Sequence, residues 1–313
     1  MSNRFGKLFE MKELNNVKLR VSRLFPAFKE RMQLMEKITL ISGKSQRTFD
    51  NYSMYLAIFV EKVQKMPEDA SDEEIDDFLF QVLKNHPSNS QSSIRTHVYA
   101  LRYYFRLFGM SDRSAKLPKL VIRPKLPVVL SEEEVRRILI SIKNDMHRIM
   151  LATMYSLGMR ISELMNLKWE NIFFDRRQVY VTQAKGAKER VIPMGEVLFL
   201  ALTNLYKVRE SDYVFHSAIS KGKITQRNVR YVIDKGMKAA GIERKGISPH
   251  VFRHSYATHL LDMGLDIITL KRLLGHSKIV NTELYLHVAQ VNPSAAFSPL
   301  DALLGKRKRR KSI

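Results

Sequence analysis

A proline-rich stretch near the middle of the chain most constrains how this sequence can fold. The segment LPKLVIRPKLPVVL, residues 117–130, contains Pro118, Pro124 and Pro127. Proline fixes φ, has no amide hydrogen to donate and disfavours helical geometry in the residue before it. Because a continuous helix cannot cross this stretch, we expect an extended linker with a separate domain on each side.

The part before the linker has helical patterns. In SDEEIDDFLFQVLKN, Ser71 and Glu74 have the spacing of a capping box, in which each side chain accepts a hydrogen bond from the other's backbone amide. Further along, apolar residues recur at helical intervals, namely Ile94, Val98, Leu101, Phe105 and Phe108. The first half is therefore predicted to be mostly helical.

The part after the linker combines helices with strands. Ser131 and Glu134 repeat the capping box, so a new helix is expected there. Strand-like stretches at 178–183 and 189–194 flank a turn that contains lysine and glycine. We predict a small antiparallel β-sheet from them.

Helical signals return near the end of the chain. Ser248 is predicted as an N-cap, with Pro249 at the first helical position and Gly264 past the helix end. A shorter helix is predicted over 266–274, closed by Gly275. The predicted fold class is mainly α with a small antiparallel β-sheet, in two domains.

Composition limits the kinds of protein to consider. The 313 residues carry 53 Lys and Arg against 31 Asp and Glu, a net charge of +22, and no cysteine. Such an excess of positive charge favours a polyanionic partner, nucleic acid first and an anionic membrane surface second. Disulfides, thiolate metal sites and a cysteine nucleophile are excluded. With no signal-peptide pattern and no apolar run near the roughly 20 residues that a membrane span needs, we expect a cytoplasmic protein.

The segment SPHVFRHSYATHLL, 248–261, concentrates titratable side chains. His250 and Arg253 are three residues apart and share a helical face, where they either bind one ligand or form an ordinary solvated face. His254 follows His250 at a spacing that zinc ligands also use, but no HExxH motif or compact carboxylate cluster accompanies it. We predict no metal site, and structural roles for His254 and His259.

Two further residues follow this segment. His276 comes directly after Gly275, in a predicted loop where its ring can point toward a site. Tyr285 lies in NTELYLHV, where Asn281 or Thr282 can cap a short helix and leave Tyr285 near its first turn.

Upstream, Arg160 precedes an apolar run with helical spacing. Glu163, one turn from Arg160, either orients neighbouring cations or is an ordinary surface acid. The predicted hairpin turn adds Lys185 and Lys188.

Four segments that contain these residues resemble the sequence boxes of the tyrosine recombinase family, the phage integrases and Xer-type enzymes. They are LGMRISELMNLKW, KGAKERVIPM, ISPHVFRHSYATHLL and LLGHSKIVNTELYLHV, in the family's order and near its spacing. The resemblance implies six catalytic residues, which are Arg160, Lys185, His250, Arg253, His276 and Tyr285.

The resemblance also implies an architecture, in which a helical SAM-like core-binding domain and a tyrosine-recombinase catalytic domain form a clamp around DNA. The predicted divisions are a helical N-terminal extension (1–40), the core-binding domain (41–116), the linker (117–130), the catalytic domain (131–290) and a C-terminal assembly segment with a basic tail (291–313).

The residue types suit phosphodiester cleavage. Arg160 and Arg253 supply forked donors that stay protonated and can neutralise the charge of a pentacovalent phosphorane. A tyrosine has an ordinary pKa of about 10 and needs a base or a cationic field to attack, so His250 is the expected base for Tyr285.

The remaining roles follow from the resemblance. Lys185 and Lys188 compete as the acid that protonates the departing 5'-oxygen, and the family pattern, in which the lysine directly precedes the turn glycine, favours Lys185. His276 is expected to hydrogen-bond the phosphoryl group. The implied function is a site-specific DNA recombinase or integrase that cleaves and rejoins strands through a 3'-phosphotyrosyl link to Tyr285, without metal, cofactor or ATP.

The expected partner is double-stranded DNA, bound by a homo-tetramer on paired recombination sites, with or without a partner recombinase, and no membrane. Two alternatives are a type IB topoisomerase and a non-catalytic DNA-binding accessory protein. The compact Xer-like spacing and the helical N-terminal domain argue against the first, and the full set of six residues argues against the second.

The C-terminal segment carries an apolar stripe at helical spacing, formed by Phe297, Leu300, Leu303 and Leu304. It either docks into a neighbouring subunit, which we expect, or folds back onto its own domain. The final KRKRRK, 306–311, is predicted to be a phosphate-binding tail.

Overall fold

The computed structural model describes residues 16–85, 90–120, 126–182, 189–244 and 250–289. The chain divides into two compact units, one ending at Pro124 and the other beginning at Lys125. Several predicted features lie outside the described residues: Lys185 and Lys188, the Ser248–Pro249 start of a helix, and the C-terminal stripe and tail.

The first unit is helical in its described residues. A helical segment at 16–24 comes first. It is followed by α1 (Pro26–Ile41), α2 (Gln46–Val63), α3 (Asp72–Asn85), α4 (Ser90–Leu107) and α5 (Ser111–Lys116). The predicted capping box begins α3, where the Ser71 amide donates to Glu74 Oε2 at 2.8 Å and the Glu74 amide donates to Ser71 Oγ at 3.2 Å.

The core of the first unit is apolar. The predicted helical stripe is confirmed, since Ile94, Val98, Leu101 and Phe105 are buried and Phe108 packs against their cluster. Helix α1 contributes further members of the same core, which are Phe28, Met32 and Met35. Residues 26–41 thus pack as part of this unit.

The second unit surrounds a three-stranded sheet with helices. In chain order the helices are α6 (Glu132–Ser141), α7 (Asp145–Ser156), α8 (Ile161–Met165), α9 (Glu196–Lys207), α10 (Gln226–Ala239), α11 (Val251–Asp262), α12 (Ile267–Leu274) and α13 (Val280–Leu286). The strands are β1 (Ile172–Phe173), β2 (Gln178–Val181) and β3 (Arg190–Pro193), paired antiparallel in that order. The predicted capping box of Ser131 and Glu134 begins α6.

The helix ends near the predicted site were partly foreseen. Gly264 follows the end of α11 with a φ of 90°, and Gly275 closes α12 with a φ of 65°. At α13, however, the N-cap is Ile279, and neither Asn281 nor Thr282 caps the helix. Both residues lie inside the helix, which begins at Val280, and the buried Thr282 hydroxyl contacts His276.

Two apolar clusters stabilise the second unit. The larger one joins the sheet to α6–α10 and to the start of α11, and includes the single tryptophan, Trp169. The smaller one lies between α11, α12 and α13, and consists of Tyr256, Ala257, Leu270, Leu274 and Tyr285. None of the described helices combines the length and apolarity needed to cross a membrane.

Candidate active site

Glu163 lies at the centre of a cluster of charged residues. Its carboxylate accepts bonds from the Arg160 amide at 2.8 Å and from Arg160 Nη1 at 2.7 Å. Arg190 adds bonds of 3.1 and 2.8 Å, and Arg253 Nη1 is 3.9 Å away. Burial acts to raise the pKa of Glu163, but the bonds from Arg190 and Arg160 outweigh it and hold the pKa at about 2. Glu163 is 4% exposed, so the surface-acid alternative is wrong and the residue orients arginines.

Arg190, which begins β3, was not singled out from the sequence. Its Nε donates to the Leu273 carbonyl at 2.7 Å, and its other two nitrogens bond Glu163. Strand alternation was the available signal, because Arg190 shares the buried face with Ile192 while Val191 faces outward. A cation on the inward face of a strand needs a buried anion, and Glu163 provides it.

Arg253 is held by backbone carbonyls. Its Nη1 donates to the Gly158 carbonyl at 2.7 Å and its Nη2 to the Leu274 carbonyl at 2.7 Å. Leu274 is the last residue of α12, where free carbonyls favour a cation. Burial, followed by the charge of Arg160, lowers the pKa of Arg253 to about 10, so the guanidinium still carries its proton at neutral pH.

Position 158 requires glycine, because any side chain there would collide with the Tyr256 ring. Its φ is 54°, and a Cβ added to it would lie 2.3 Å from Cδ1 of Tyr256. The Tyr256 ring therefore packs directly on the backbone that presents a carbonyl to Arg253.

His276 follows the left-handed Gly275, as predicted, and its ring joins two neighbours. Its Nε2 lies 2.9 Å from Arg253 Nη2, and its Nδ1 lies 2.9 Å from Thr282 Oγ1. Since a guanidinium only donates, Nε2 must accept, and the proton of the neutral ring belongs on Nδ1, which donates to Thr282. Burial and the charges of Arg253 and Arg160 lower the pKa of His276 to about 3, so the ring is neutral at pH 7.

Tyr285 is buried between two histidine rings. His254 Nδ1 lies 3.1 Å from the Tyr285 hydroxyl, with the ring centroids 5.6 Å apart. The His276 ring is nearly parallel to the Tyr285 ring, at 8° and a centroid distance of 6.4 Å. Burial raises the pKa of Tyr285, while Arg253 and Arg160 act in the opposite direction.

His254 was predicted to have a structural role, but in the structure its ring contacts the hydroxyl of Tyr285, the predicted nucleophile. The sequence had no local signal for this contact, since 31 residues separate the two side chains. His259 has the structural role expected of it, because it is buried and its Nδ1 lies 2.8 Å from the Tyr155 hydroxyl.

His250 is the N-cap residue of α11. Burial lowers its pKa, and the charges of Arg253, Arg160 and Arg230 add to the effect, so its ring lies within the field of the same cations. Across the described ranges, no three histidine, aspartate or glutamate side chains group in a way that could hold a metal ion.

The arrangement is suited to binding an anion. Three guanidiniums, those of Arg160, Arg190 and Arg253, surround one carboxylate, which leaves an excess of positive charge. The Arg160 side chain is 28% exposed, whereas those of Arg190 and Arg253 are 5% and 3% exposed. An incoming anion would therefore meet Arg160 first.

Comparison with known proteins shows which family the chain belongs to. Residues 128–291 match the phage integrase family, and residues 31–111 match the phage integrase N-terminal SAM-like domain. The tyrosine recombinase XerA of Thermococcus kodakarensis is 36% identical over 256 residues, covering 79% of this chain and 87% of that protein. A tyrosine recombinase of Pseudothermotoga lettingae is 33% identical over 245 residues, covering 74% and 83%.

The fold is also found among solved structures. A lambda integrase tetramer bound to a Holliday junction matches with a TM-score of 0.67 at 19% identity, over 83% of this chain and 76% of that one. At this identity the match shows the fold alone.

Fold and sequence together define an enzyme of the tyrosine-type site-specific recombinase class. The chain belongs to the phage integrase family, as its four sequence boxes predicted. The predicted fold class, mainly α with a small antiparallel sheet and a SAM-like N-terminal domain, is confirmed. Relatives named as recombinases favour recombination over the topoisomerase and accessory-protein alternatives.

Proposed function

We propose that this recombinase cleaves and rejoins double-stranded DNA through Tyr285, whose oxygen becomes linked to the 3'-phosphate. The observation that carries the proposal is the position of the Tyr285 hydroxyl. It lies 3.1 Å from an imidazole nitrogen and in the field of Arg253 and Arg160. A buried tyrosine with an acceptor and two cations near its oxygen is prepared to act as a nucleophile.

Arg160 and Arg253 bind the scissile phosphate in this proposal. Forked, permanently charged donors can bond two non-bridging oxygens as their charge grows in the transition state. Glu163 holds Arg160, and the carbonyls of Gly158 and Leu274 hold Arg253. Because these bonds fix the two guanidiniums, little reorganisation is needed when the reaction begins.

The other three residues act on protons and on the phosphate. His250 lies at the start of α11, in the field of the same arginines. Lys185 donates a proton to the 5'-oxygen. His276 first holds Arg253, because its Nε2 accepts from that guanidinium. A phosphate bound beside it would favour the protonated ring, whose Nε2 could then donate to a phosphate oxygen.

We further propose a homo-tetramer on paired DNA sites, acting in the cytoplasm. The net charge of +22 favours a DNA partner. The lambda integrase of similar fold was solved as a tetramer bound to a Holliday junction, which supports the same assembly for this chain.

Trapping a covalent adduct tests the proposal. A nicked substrate that loses its 5'-hydroxyl strand on cleavage should trap the wild-type chain on DNA, in EDTA and without nucleotide. Tyr285→Phe removes one oxygen, so we expect normal DNA binding and no adduct. Tyr206→Phe is the matched control, since Tyr206 packs against Trp169 in the larger cluster, and it should form the adduct at the wild-type rate. An adduct in Tyr285→Phe would show that another residue is the nucleophile.

A further inference from the structure

We propose that His254 is a further catalytic residue, the base that takes the proton from Tyr285 during cleavage and returns it during religation. The inference rests on the proposed role of Tyr285 as nucleophile. It starts from the 3.1 Å contact between His254 Nδ1 and the Tyr285 hydroxyl.

Both side chains are held in place by rigid elements. The His254 amide bonds the His250 carbonyl at 2.9 Å in the first turn of α11. Tyr285, on α13, is 3% exposed and packs in the small cluster with Ala257 of α11, the helix that carries His254. A hydrogen bond between two packed helices keeps its geometry, which proton transfer requires.

The other histidine ring beside Tyr285 cannot accept its proton. His276 Nε2 already accepts from Arg253, and its Nδ1 carries the proton donated to Thr282. His254 has the opposite arrangement, because its Nδ1 faces a hydroxyl that can donate and its proton can remain on Nε2. Of the two rings that flank Tyr285, His254 is therefore the one with an acceptor nitrogen on the nucleophile.

The surroundings of His254 keep it unprotonated at neutral pH. Burial lowers its pKa to about 4, and the charges of His250 and Arg253 add to the effect. The charged and titratable groups that act on the pair are His250 and Arg253 of α11 and Arg160 at the start of α8. The helices packed beside the pair also carry Tyr155 of α7, which bonds His259, and Lys271 and Arg272 in the last turn of α12.

The proposed cleavage step moves one proton from Tyr285 to His254. As the bond forms between Tyr285 Oη and phosphorus, the phenolic proton moves to His254 Nδ1, leaving an imidazolium with both nitrogens protonated. The bond from phosphorus to the 5'-oxygen breaks, and Lys185 protonates that oxygen. In religation the neutral Lys185 takes the proton from the incoming 5'-hydroxyl as its oxygen bonds phosphorus, the bond from phosphorus to Tyr285 Oη breaks, and His254 returns its proton to the departing tyrosine.

The test is the pH dependence of single-turnover adduct formation by the full-length chain. A nicked substrate with sulfur at the 5'-bridging position is used, because its leaving group needs no proton and Lys185 no longer influences the rate. The wild-type rate should be level from about pH 6 to pH 8, since the base is neutral throughout. His254→Asn keeps an acceptor oxygen near Nδ1 but cannot take up a proton. Its rate should fall about 100-fold at pH 7 and rise about tenfold per pH unit, because the tyrosine must then ionise into solvent.

The matched control is His259→Asn on the same helix. His259 makes the same kind of contact, Nδ1 to the Tyr155 hydroxyl at 2.8 Å, so its loss costs a similar bond to a tyrosine other than the proposed nucleophile. Its pH profile should stay level. A level profile for His254→Asn, lowered equally at every pH, would mean that His254 only positions Tyr285, and the inference would be wrong.

Two further results separate the possible failures. If the wild-type rate itself rises tenfold per pH unit, no neutral base accepts the proton and the inference fails, whether or not His254→Asn folds. If Tyr285→Phe still forms an adduct, the proposed function fails and the inference falls with it. Folding of His254→Asn is checked by DNA binding and by Trp169 fluorescence, and His254→Gln serves as the second variant.

Discussion

The first unit keeps its ion pairs near the surface, whereas the second buries a carboxylate among guanidiniums. In the Arg20–Glu61 pair the side chains are 54% and 27% exposed, while in the Arg190–Glu163 pair they are 5% and 2% exposed. Removing charges from water costs more than most pairs regain, so a buried ionic cluster is a weak source of stability. In the proposed function, the second unit retains one because its arginines are fixed where a phosphate can reach them.

A second contrast concerns one buried tyrosine in each unit, which differ in the groups beside their hydroxyls. Tyr104 of the first unit donates to Glu68 at 2.7 Å, and burial and that carboxylate both raise its pKa. Tyr285 of the second unit faces an imidazole; burial raises its pKa as well, but here the nearby arginines oppose the increase. A carboxylate neighbour stabilises a neutral phenol, while cations and a neutral base prepare one to lose its proton.

Among the substitutions that test this comparison, Glu163→Gln is expected to have the largest effect on stability. The substitution leaves Arg190 and Arg253 buried without their anion, which should lower the free energy of unfolding of the second unit by about 3–5 kcal/mol. Adduct formation should be lost as well. Urea unfolding followed by the fluorescence of Trp169, the single tryptophan, reports on this unit. If the free energy of unfolding hardly changes, groups other than Glu163 must neutralise the buried arginines.

The pH dependence of stability tests the same carboxylate. The folded pKa of Glu163 is about 2, below its ordinary 4.5. The ionised carboxylate therefore contributes stability at all pH values above about 4.5, and the contribution is lost as pH falls toward 2. Glu163→Gln should lack this component of acid destabilisation. Glu133→Gln, which removes an exposed partner of Arg136, should retain it.

The sequence predicted what local rules determine and missed what depends on distant contacts. Capping boxes, the apolar stripe of α4 and the glycine end of α12 follow from spacing within one or two turns. The bond from Arg190 to the Leu273 carbonyl joins residues 83 positions apart, and no periodicity reports such a contact.

The active-site residues show the same limit. From the sequence, His250 was expected to be the base for Tyr285, whereas the imidazole in contact with the Tyr285 hydroxyl is that of His254. That contact depends on how α13 packs on α11. Thr282 illustrates the error that results, because a threonine near a helix start predicts a cap, whereas tertiary packing directs its hydroxyl to His276.

A smaller effect is expected from alanine at glycines with positive φ. Gly158→Ala meets the Tyr256 ring at 2.3 Å as well as the strain of a left-handed backbone, so we expect a cost of about 2–4 kcal/mol. Gly43 of the first unit has a φ of 76° and nothing within 4 Å of an added Cβ, so Gly43→Ala should cost about 1 kcal/mol from strain alone.

Thermal unfolding followed by far-ultraviolet circular dichroism measures both variants. Gly264→Ala is the control within the second unit, because its φ is 90° and its surroundings are open. It should resemble Gly43→Ala. Equal costs at Gly158 and Gly264 would show that the ring contact contributes nothing and that only backbone strain matters.

The smallest effect is expected from Glu61→Gln in the first unit. Arg20 donates to Glu61 through Nε at 3.0 Å and Nη2 at 2.6 Å, which is good geometry for an ion pair. Water nevertheless reaches both side chains, so the loss should be below about 1 kcal/mol, and most of it should disappear in about 1 M salt, where charges are screened within about 3 Å. Hydrogen exchange of the α2 amides measures the first unit directly, since its described residues contain no tryptophan to report on it. If Glu61→Gln costs as much as Glu163→Gln and the cost survives high salt, burial does not explain the difference between the two units.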